Sequence, residues 1–386
     1  MLMSDIDFAH DPVPNLHALL AELRTHGPVV PVRYHGQRTW LINSFELLTQ
    51  AFSDEVHFQS AATYLIHAEP SMGLTLQTMA GEEHRINRGL VSRTFFPKEI
   101  RASIEALIEP TANELLDAIE GQEELDIIPA FSRPFPFRVI TRFLGIPLAD
   151  EQRLLDWALK LIDYPWDPKG AVQARHDFAD YLKPFLDERR VNPGSDVISM
   201  LATAEFEGQR LSDEEIYSFA RMIYPAGSDT AYKNGGSLLY AILSDPTLRG
   251  RVLESDKARE GIVQEALRWE PPVALLPRIC SQDVTLGGID IKKGDWTLFG
   301  IAAANSDPTV FEDPRRFDPT RTHRSLVFGH GVHFCLGSHL ARRELETAIK
   351  LIVERFPRMT LAPGRPVEIT GGVMRGPKAL WVRPYG

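Results

Sequence analysis

Helical periodicity that continues through nearly half of the chain constrains the fold more than any other feature. From about Glu82 to Asp256, almost every long segment has apolar residues at i, i+3 and i+4, and prolines separate one segment from the next. Strand-like patterns are confined to a hairpin over residues 32–42, to residues 273–298, and to the chain after Met359. The sequence therefore predicts a mainly α-helical fold with small peripheral β-sheets.

Composition indicates an ordinary globular protein. Of the 386 residues, 44% are hydrophobic and 24% are charged, which is enough to build a large core. Because no repeat, low-complexity tract or linker interrupts the chain, we expect one domain over residues 1–386. The net charge of -10 argues against nucleic acid as the main partner, since a phosphate-binding surface generally needs a basic excess.

Targeting and redox signals agree with a cytoplasmic location. No stretch approaches the ~18 uninterrupted apolar residues of a membrane span, and residues 1–14 have neither a basic nor an apolar leader region. The only two cysteines, Cys280 and Cys335, exclude a disulfide framework and fit a reducing compartment. We treat Cys280 as a small buried hydrophobic residue.

The segment of residues 328–337 is the most informative one for chemistry. It is rich in glycine, contains Cys335, and is followed at once by an amphipathic helical pattern. A helix N-terminus and nearby backbone amides favour a thiolate, which is the form that binds a metal. Two alternatives remain at this point: an inert buried cysteine, or a zinc site made of His330, His333, Cys335 and His339.

A second informative segment lies inside one long predicted helix, which runs from Ser212 to about Leu243. A capping box of Ser212 with Glu215 predicts its start. Pro225 and Gly227 lie in its middle, so we expect the hydrogen-bond ladder to be broken there. A simple proline kink without functional meaning is the alternative.

Two pairs of polar residues have helical spacing. His84 and Arg88 are one turn apart, and two cationic donors on one face suit an anion. Glu265 and Arg268 have i, i+3 spacing and also share a face. Either pair alone is equally typical of a solvated helix surface.

Taken together, these segments resemble the cytochrome P-450 family in residue type, order and spacing, over roughly residues 80–345. The matching residues of the cysteine segment and of the long helix are Phe328, Gly331, His333, Cys335 and Gly337, and Ala226, Gly227, Asp229 and Thr230. Glu265, Arg268, Arg278 and the segment 317–321 follow the same family pattern. Pro225 and Ala231 are less usual in that family.

The resemblance implies a triangular, helix-rich single domain with haem b between a long distal helix and the helix after the cysteine. Cys335 would be the axial thiolate ligand of the iron, and Phe328, Ala226 and Gly227 would lie against the haem. Its propionates would be bound by His84, Arg88, Arg278 and His333. Glu265, Arg268 and Arg321 would hold the haem-binding core together.

The resemblance also implies a monooxygenase that uses O2 to oxidise a small, largely apolar molecule. Thr230 and Asp229 would organise proton delivery, and Gly227 would make room for oxygen. On family analogy alone, substrate contacts are expected from Leu74, Ala226, Val273, Leu276 and Met374.

Electrons would come ultimately from NAD(P)H through separate proteins, because the chain has no nucleotide-binding signature. A ferredoxin-type donor on the cysteine side of the haem is expected. Basic residues offered for its docking are Arg85, Arg88, Arg93, Lys98, Arg101, Arg342 and Arg343; ordinary helix-surface charge is the alternative.

Three other functions would share part of this pattern. A haem carrier or gas sensor would keep Cys335 but has little need for Asp229 and Thr230. A peroxide-using enzyme usually alters that acid and alcohol pair. A zinc protein would use the histidines around Cys335 and would be colourless.

Overall fold

The computed structural model describes residues 6–386, apart from the side chains of residues 103–105 and 150. The predicted range 1–386 therefore includes five residues outside this description. The α-helices of the described chain are α1 (Leu16–Arg24), α2 (Phe45–Ser53), α3 (Ser60–His67), α4 (Glu69–Met72), α5 (Gly81–Ser92), α6 (Pro97–Ser103), α7 (Glu109–Asp117), α8 (Pro134–Leu144), α9 (Glu151–Ile162), α10 (Pro168–Val191), α11 (Val197–Thr203), α12 (Asp213–Ser244), α13 (Pro246–Glu254), α14 (Asp256–Trp269), α15 (Ile301–Ala304) and α16 (Ser338–Arg355).

The strands are short and form small sheets. They are β1 (Val29–Tyr34), β2 (Gln37–Ile42), β3 (Leu125–Asp126), β4 (Leu276–Ile279), β5 (Val284–Leu286), β6 (Ile289–Ile291), β7 (Trp296–Phe299), β8 (Thr360–Leu361), β9 (Ile369–Thr370), β10 (Gly376–Pro377) and β11 (Trp381–Arg383). One sheet has the order β1-β2-β7-β4, another β3-β11-β8, and two are the pairs β5-β6 and β9-β10. The predicted mainly α-helical fold with small peripheral sheets is confirmed.

The long helix α12 is the central element. Its N-terminus has the predicted capping box: the Ser212 N–H donates to Glu215 Oε2 at 2.7 Å, and the Glu215 N–H donates to Ser212 Oγ at 3.3 Å. Its 32 residues span about 48 Å and contact α8, α14 and α16. The backbone stays helical through Pro225, so the missing hydrogen bond expected there does not end the helix. Proline removes one N–H donor, and the packed turns on either side maintain the helix.

The ends of other elements follow the sequence signals in part. α16 begins three residues after Cys335, as the amphipathic pattern predicts, and the β1–β2 hairpin turns at His35 and Gly36. α1 starts after Asn15, but the Asn15 side chain makes no capping hydrogen bond. The strand β3 lies inside the predicted helical half; it forms because Leu125 and Asp126 pair with β11 near the end of the chain.

A cluster of rings joins the α9–α10 loop to the β1–β2 hairpin. The Trp166 ring lies 5.4 Å from His35, which also contacts Tyr34 at 4.6 Å and His10 at 4.9 Å between ring centroids. Trp166 is nevertheless 53% exposed. Two peripheral segments far apart in sequence thus touch through side chains at the surface.

No helix of the described residues is long and apolar enough to cross a membrane.

Candidate active site

A large cavity of about 320 Å³ lies where the cysteine segment, α12, α5 and β4 meet. Its lining is mostly apolar. The lining residues include Phe52, Ser60, Tyr64, Leu76, Gln77, Arg88, Phe95, Ile140, Met222, Ile223, Ala226, Gly227, Thr230, Ala231, Val273, Leu276, Arg278, Phe328, His333, Cys335, Gly337 and Glu344. Sequence segments separated by more than 200 residues therefore share one chamber.

Backbone hydrogen bonds shape the cysteine segment. The Cys335 N–H donates to the Phe328 carbonyl at 2.9 Å, which closes the loop on itself. Gly331 has a φ of +76°, and a Cβ there would lie 2.8 Å from the Phe52 carbonyl oxygen. Glycine is required at this point for both reasons. The loop presents Cys335 to the large cavity three residues before α16 begins.

The Cys335 thiol is accessible from the cavity and is otherwise surrounded by protein. Burial raises the pKa of this thiol, whereas the backbone N–H of Gly337 and the charges of Arg88 and Arg342 lower it; the net pKa lies above its ordinary value. Of the glycines expected to bring amides to the sulfur, Gly337 is the one whose N–H bonds it. A bound cation would stabilise the thiolate further.

Positive and imidazole groups gather beside the thiol. The His84 and His333 rings lie 4.2 Å apart, and Arg88 Nη2 donates to the Phe334 carbonyl at 2.7 Å. Burial, His333 and Arg88 together lower the pKa of His84 to about 4, so His84 is neutral and can donate an N–H at pH 7. Arg278 is buried and lines the same cavity.

These residues fit a haem. The Nε2 atom of His84 is buried and has no hydrogen-bond partner within the described residues, as expected of a group that awaits an anionic ligand. His333 Nε2 also makes no hydrogen bond, but it lies 3.6 Å from Glu55 Oε2. Arg88 and Arg278 bring charge to the same cavity for carboxylates, the apolar lining suits a macrocycle, and Cys335 supplies a thiolate. In contrast, the side chains described within residues 6–386 include no group of three or more His, Cys, Asp or Glu that could hold a metal ion. The alternative zinc site around Cys335 is therefore wrong.

α12 contributes the other functional residues of the cavity. Ala226, Gly227 and Thr230 line it, and Thr230 Oγ1 donates to the Ala226 carbonyl at 2.9 Å. The hydroxyl oxygen of Thr230 keeps its acceptor capacity on the cavity side. A Cβ on Gly227 would lie 2.6 Å from Ile140 Cδ1, so this glycine makes room for α8. Gly227, which is expected to make room for oxygen, therefore also allows α12 to pack against α8.

Asp229 has a partner that the sequence interpretation did not include. Its side chain is buried, and Oδ1 lies 2.5 Å from Lys233 Nζ, one helical turn later. Lys233 Nζ also lies 2.9 Å from the Tyr232 hydroxyl and is 17% exposed. A chain of polar groups therefore leads from Asp229 toward solvent. The i, i+4 spacing of Asp229 and Lys233 was a signal that could have found it.

Glu265, Arg268 and Arg321 are brought together. Arg268 binds both carboxylate oxygens of Glu265, at 2.8 and 2.6 Å, and Arg321 Nε lies 3.4 Å from Glu265 Oε1. Arg268 also donates to the Asn305 carbonyl at 2.7 Å, and the Asn305 amide oxygen accepts the Leu326 N–H at 2.8 Å. This buried network thus reaches the start of the cysteine segment.

Three of the five residues expected to contact substrate, Ala226, Val273 and Leu276, line the cavity. Leu74, whose side chain is 43% exposed, and Met374, which pairs with Val273 in a β-bridge, are not among its lining residues. Sequence reasoning missed Phe95 and Met222 as lining residues. Met222 precedes Ala226 by four residues, so helical periodicity alone could have indicated it.

The fold and the site together define a class: a helix-rich protein that binds an iron porphyrin through a cysteine thiolate. A sequence profile of the family described as "Cytochrome P-450" matches residues 149–380. Cyclomarin C epoxidase CymV of Salinispora arenicola is 33% identical over 380 residues, covering 95% of each chain. Cytochrome P-450 monooxygenase PikC of Streptomyces venezuelae is 32% identical, covering 98% of this chain and 92% of its own.

Solved structures agree. The cytochrome P-450 PksS of Bacillus subtilis superposes with a TM-score of 0.89 at 29% identity, covering 97% of both chains. CYP109E1 of Bacillus megaterium in complex with testosterone has a TM-score of 0.85 at 29% identity, covering 96% of this chain and 99% of its own. The chain belongs to the cytochrome P-450 family and is a monooxygenase of that haem-thiolate class.

Proposed function

We propose that this enzyme inserts one oxygen atom from O2 into a small, largely apolar organic molecule, with Cys335 as the thiolate ligand of a haem b. The observation that carries the proposal is the large cavity, in which the Cys335 thiol and the Thr230 hydroxyl line one mostly apolar chamber. When bound, the haem supplies oxygen activation, which a thiolate ligand favours. The protein positions the reactants, excludes water from the chamber and moves protons around the haem.

Four residues are proposed to bind the anionic edge of the haem. His84, Arg88, Arg278 and His333 would bind the propionates, and Phe328, Ala226 and Gly227 would contact the ring. The buried His84 Nε2 has no hydrogen-bond partner among the described residues, which supports an anion at this place. A cluster of cationic groups is stabilised when an anion binds it.

Thr230 and Asp229 are proposed to organise protons. Thr230 Oγ1 donates to the Ala226 carbonyl, so its oxygen can accept a hydrogen bond from a water in the cavity. Asp229 is joined to Lys233, which reaches solvent. We therefore propose that protons enter along Lys233 and Asp229 and are held at Thr230.

The substrate is proposed to lie against apolar side chains of several elements, including Tyr64, Met222, Ala226, Val273 and Leu276. A mostly apolar wall favours hydrophobic molecules but does not specify which one binds. The solved structure of a relative with bound testosterone supports an apolar organic substrate. Electrons are proposed to come from NAD(P)H through a ferredoxin-type donor.

The absorption spectrum of the reduced protein under carbon monoxide tests the central assignment. We expect a strongly red-shifted Soret band in wild type and in Cys280→Ser, because Cys280 is buried outside the cavity and its thiol donates to the Gln282 carbonyl. Cys335→Ala should lack that band. A band that is unchanged in Cys335→Ala, or a colourless wild-type protein, would overturn the proposal.

A further inference from the structure

The Arg278 guanidinium is buried without a counter-charge. Arg278 is 6% exposed, and no carboxylate in the described part of the chain forms an ion pair with it. Its side chain donates one hydrogen bond, from Nη1 to the Pro277 carbonyl at 3.0 Å. Removing a guanidinium from water is costly unless other groups stabilise its charge. Something other than a carboxylate must therefore keep this side chain in place.

Two aromatic rings contact the guanidinium instead. Arg278 Cζ lies 5.1 Å from the centroid of the Tyr64 ring and 5.7 Å from the centroid of the Phe299 ring, over the face of each. Such cation–π contacts are favourable within about 6 Å and are strongest where water is excluded. The rings attract the positive charge without using its N–H donors, so these donors stay available for an anion.

The backbone of Arg278 is fixed by the same helix that carries Tyr64. Arg278 lies on β4, the last strand in the order β1-β2-β7-β4, and α3 covers this strand's open edge. The Ile279 N–H donates to Thr63 Oγ1 at 2.8 Å, and Thr63 is buried. Two adjacent residues of α3, Thr63 and Tyr64, thus contact two adjacent residues of β4. The helix α3 therefore sets the position of both the backbone and the guanidinium.

Of the two rings, Tyr64 is the one in the chamber wall. Tyr64 lines the large cavity, as Arg278 does, whereas Phe299 is 1% exposed and packs against Phe52 and Phe58 in the core. The Tyr64 ring also packs against a cluster of buried residues, which are Ala68, Met72, Leu161 and Ala174. Its position is thus fixed by packing as well as by the cation.

We propose that Tyr64 is a positioning residue for the haem: the face of its ring holds the Arg278 guanidinium where the propionates bind. The affinity for haem then depends on the π electrons of a side chain in the chamber wall, and the Tyr64 hydroxyl takes no part. This inference rests on the proposed binding of the propionates by Arg278.

The rate of haem loss from the purified ferric protein to excess apomyoglobin tests the role of the ring. Tyr64→Leu keeps an apolar side chain but removes the ring, so we expect haem loss to be about fivefold faster or more. Tyr64→Phe keeps the ring face and should match wild type. Leu65→Ala, on the exposed side of α3, controls for loosening of the helix and should also match wild type. Equal rates in Tyr64→Leu and Tyr64→Phe would overturn the proposal.

Fluorinated phenylalanines introduced in place of Tyr64 separate the electrons of the ring from its shape. Fluorine withdraws electron density from the ring face with little change in size, so one, two and three fluorines should weaken the cation–π contact stepwise. We expect the logarithm of the haem-loss rate to rise in steps along this series. Because the side chains are nearly equal in shape, the result does not depend on whether Tyr64→Leu folds. A constant rate along the series would rule out the role of the ring face.

The reduction potential of the haem iron gives an independent readout. A cation held at the propionates favours the reduced iron, since reduction lowers the positive charge of the metal. Tyr64→Leu should therefore have a lower potential than Tyr64→Phe. In an Arg278→Gln background, the same pair of variants should have equal potentials, because there is no cation to position. An equal difference in both backgrounds would show a role independent of Arg278 and would refute the proposal.

These measurements distinguish this inference from the proposed oxidation. They use neither substrate, O2 nor a donor protein, so a failure to insert oxygen would leave them unaffected. A wild-type protein that binds no haem would overturn the proposed function and this inference with it. Equal haem-loss rates along the fluorinated series, in proteins that do bind haem, would overturn the role of Tyr64 alone.

Discussion

Thr230 and Asp229 are neighbours in sequence but have different surroundings. The Thr230 side chain lines the large cavity, whereas the Asp229 side chain is buried and paired with Lys233. Consecutive helical residues point about 100° apart, so one of them can contact ligands while the other contacts the protein interior. The two residues therefore have separable roles that single substitutions can distinguish.

Removal of the Thr230 hydroxyl should uncouple the reaction. We expect Thr230→Ala to bind substrate normally but to form about tenfold less product per NAD(P)H consumed, or lower still, with the difference released as hydrogen peroxide. Thr230→Ser is the matched control, since it retains the hydroxyl. Product and peroxide would be measured in the same reaction. Unchanged coupling in Thr230→Ala would remove the role assigned to this hydroxyl.

Lys233 should act as a positioning residue through Asp229. Lys233→Met leaves a buried carboxylate without its cation, so we expect product formation to slow by about tenfold or more and its pH profile to shift. Lys233→Arg keeps the charge and should restore most of both. The carbon monoxide spectrum of each variant reports whether the site is intact. A wild-type rate and pH profile in Lys233→Met would contradict the role.

At the residue scale, the sequence could predict what local spacing encodes. Cys335 was predicted to precede a helix, and Thr230 was predicted to lie on one, because both features depend on neighbouring residues. Leu74 is expected to contact substrate on analogy alone, and its exposed side chain is not among those that line the large cavity. Which way a side chain outside a regular helix points depends on packing that a local pattern does not contain.

At the scale of elements, the contact of α12 with α8 depends on Gly227. A Cβ at this position would come within 2.6 Å of Ile140 Cδ1, well inside normal van der Waals contact. Helices approach closely where one of them has no side chain. The glycine is therefore part of the packing as much as of the cavity.

Gly227→Ala should accordingly destabilise the protein by about 1–3 kcal/mol through overpacking. Gly250, inside α13, has nothing within 4 Å of its Cβ position, so Gly250→Ala should stabilise by up to about 1 kcal/mol. Adding Ile140→Val to Gly227→Ala should recover part of the loss, because it removes the clashing methyl group. Urea unfolding of the variants checks this. Equal effects of the two alanine substitutions would refute the packing argument.

The starts of the helices α12 and α16 were easier to predict from the sequence than the effect of Pro225 or the presence of β3. The capping box of α12 and the amphipathic pattern of α16 gave their starts correctly. Pro225 does not end α12, since one missing donor is outweighed by buried packing along 32 residues. The strand β3 could not be predicted because it depends on a partner more than 250 residues away.

At the scale of the whole molecule, Glu270 connects distant parts of the chain. His17 Nε2 and Arg375 Nε lie 3.0 and 2.5 Å from its carboxylate oxygens, and Arg315 lies 3.5 Å away. Burial raises the pKa of Glu270, but the His17 hydrogen bond and the charges of Arg375 and Arg315 outweigh it and lower the pKa to about 2. No local spacing in the sequence indicates this network, because each partner lies 45 or more residues from Glu270 in the chain.

The depressed pKa gives stability a definite pH dependence. Glu270 contributes stability above its unfolded pKa of about 4.5, and this contribution is lost as pH falls toward about 2. Glu270→Gln should therefore be roughly 3 kcal/mol less stable at pH 7, with the difference shrinking below about pH 4.5. Exposed Glu354→Gln is the control and should track wild type. Chemical unfolding across this pH range measures the difference; a constant difference would contradict the assignment.

The basic residues proposed as a docking face for an electron donor differ in how free their charges are. Arg85 is paired with Glu82 and Glu207, and Arg343 is paired with Glu346, so these charges are partly neutralised. Arg93 and Lys98 are exposed.

Charge reversal tests this face. Arg93→Glu with Lys98→Glu should slow reduction by an acidic donor protein by about tenfold at low salt, with the effect fading as ionic strength rises. Lys169→Glu, on exposed α10, is the control. Stopped-flow kinetics would measure the rate at which each variant is reduced. Rates of the charge-reversed variant equal to wild type at every salt concentration would mean that the donor docks elsewhere.

The contact between Trp166 and His35 gives the molecule a built-in optical probe. The indole lies at the surface between the α9–α10 loop and the hairpin, against an imidazole ring that can quench its emission when protonated. Trp166 is one of six tryptophans, so its emission is obtained as the difference between wild type and Trp166→Phe. Separation of the loop from the hairpin can then be followed in real time without attaching a dye.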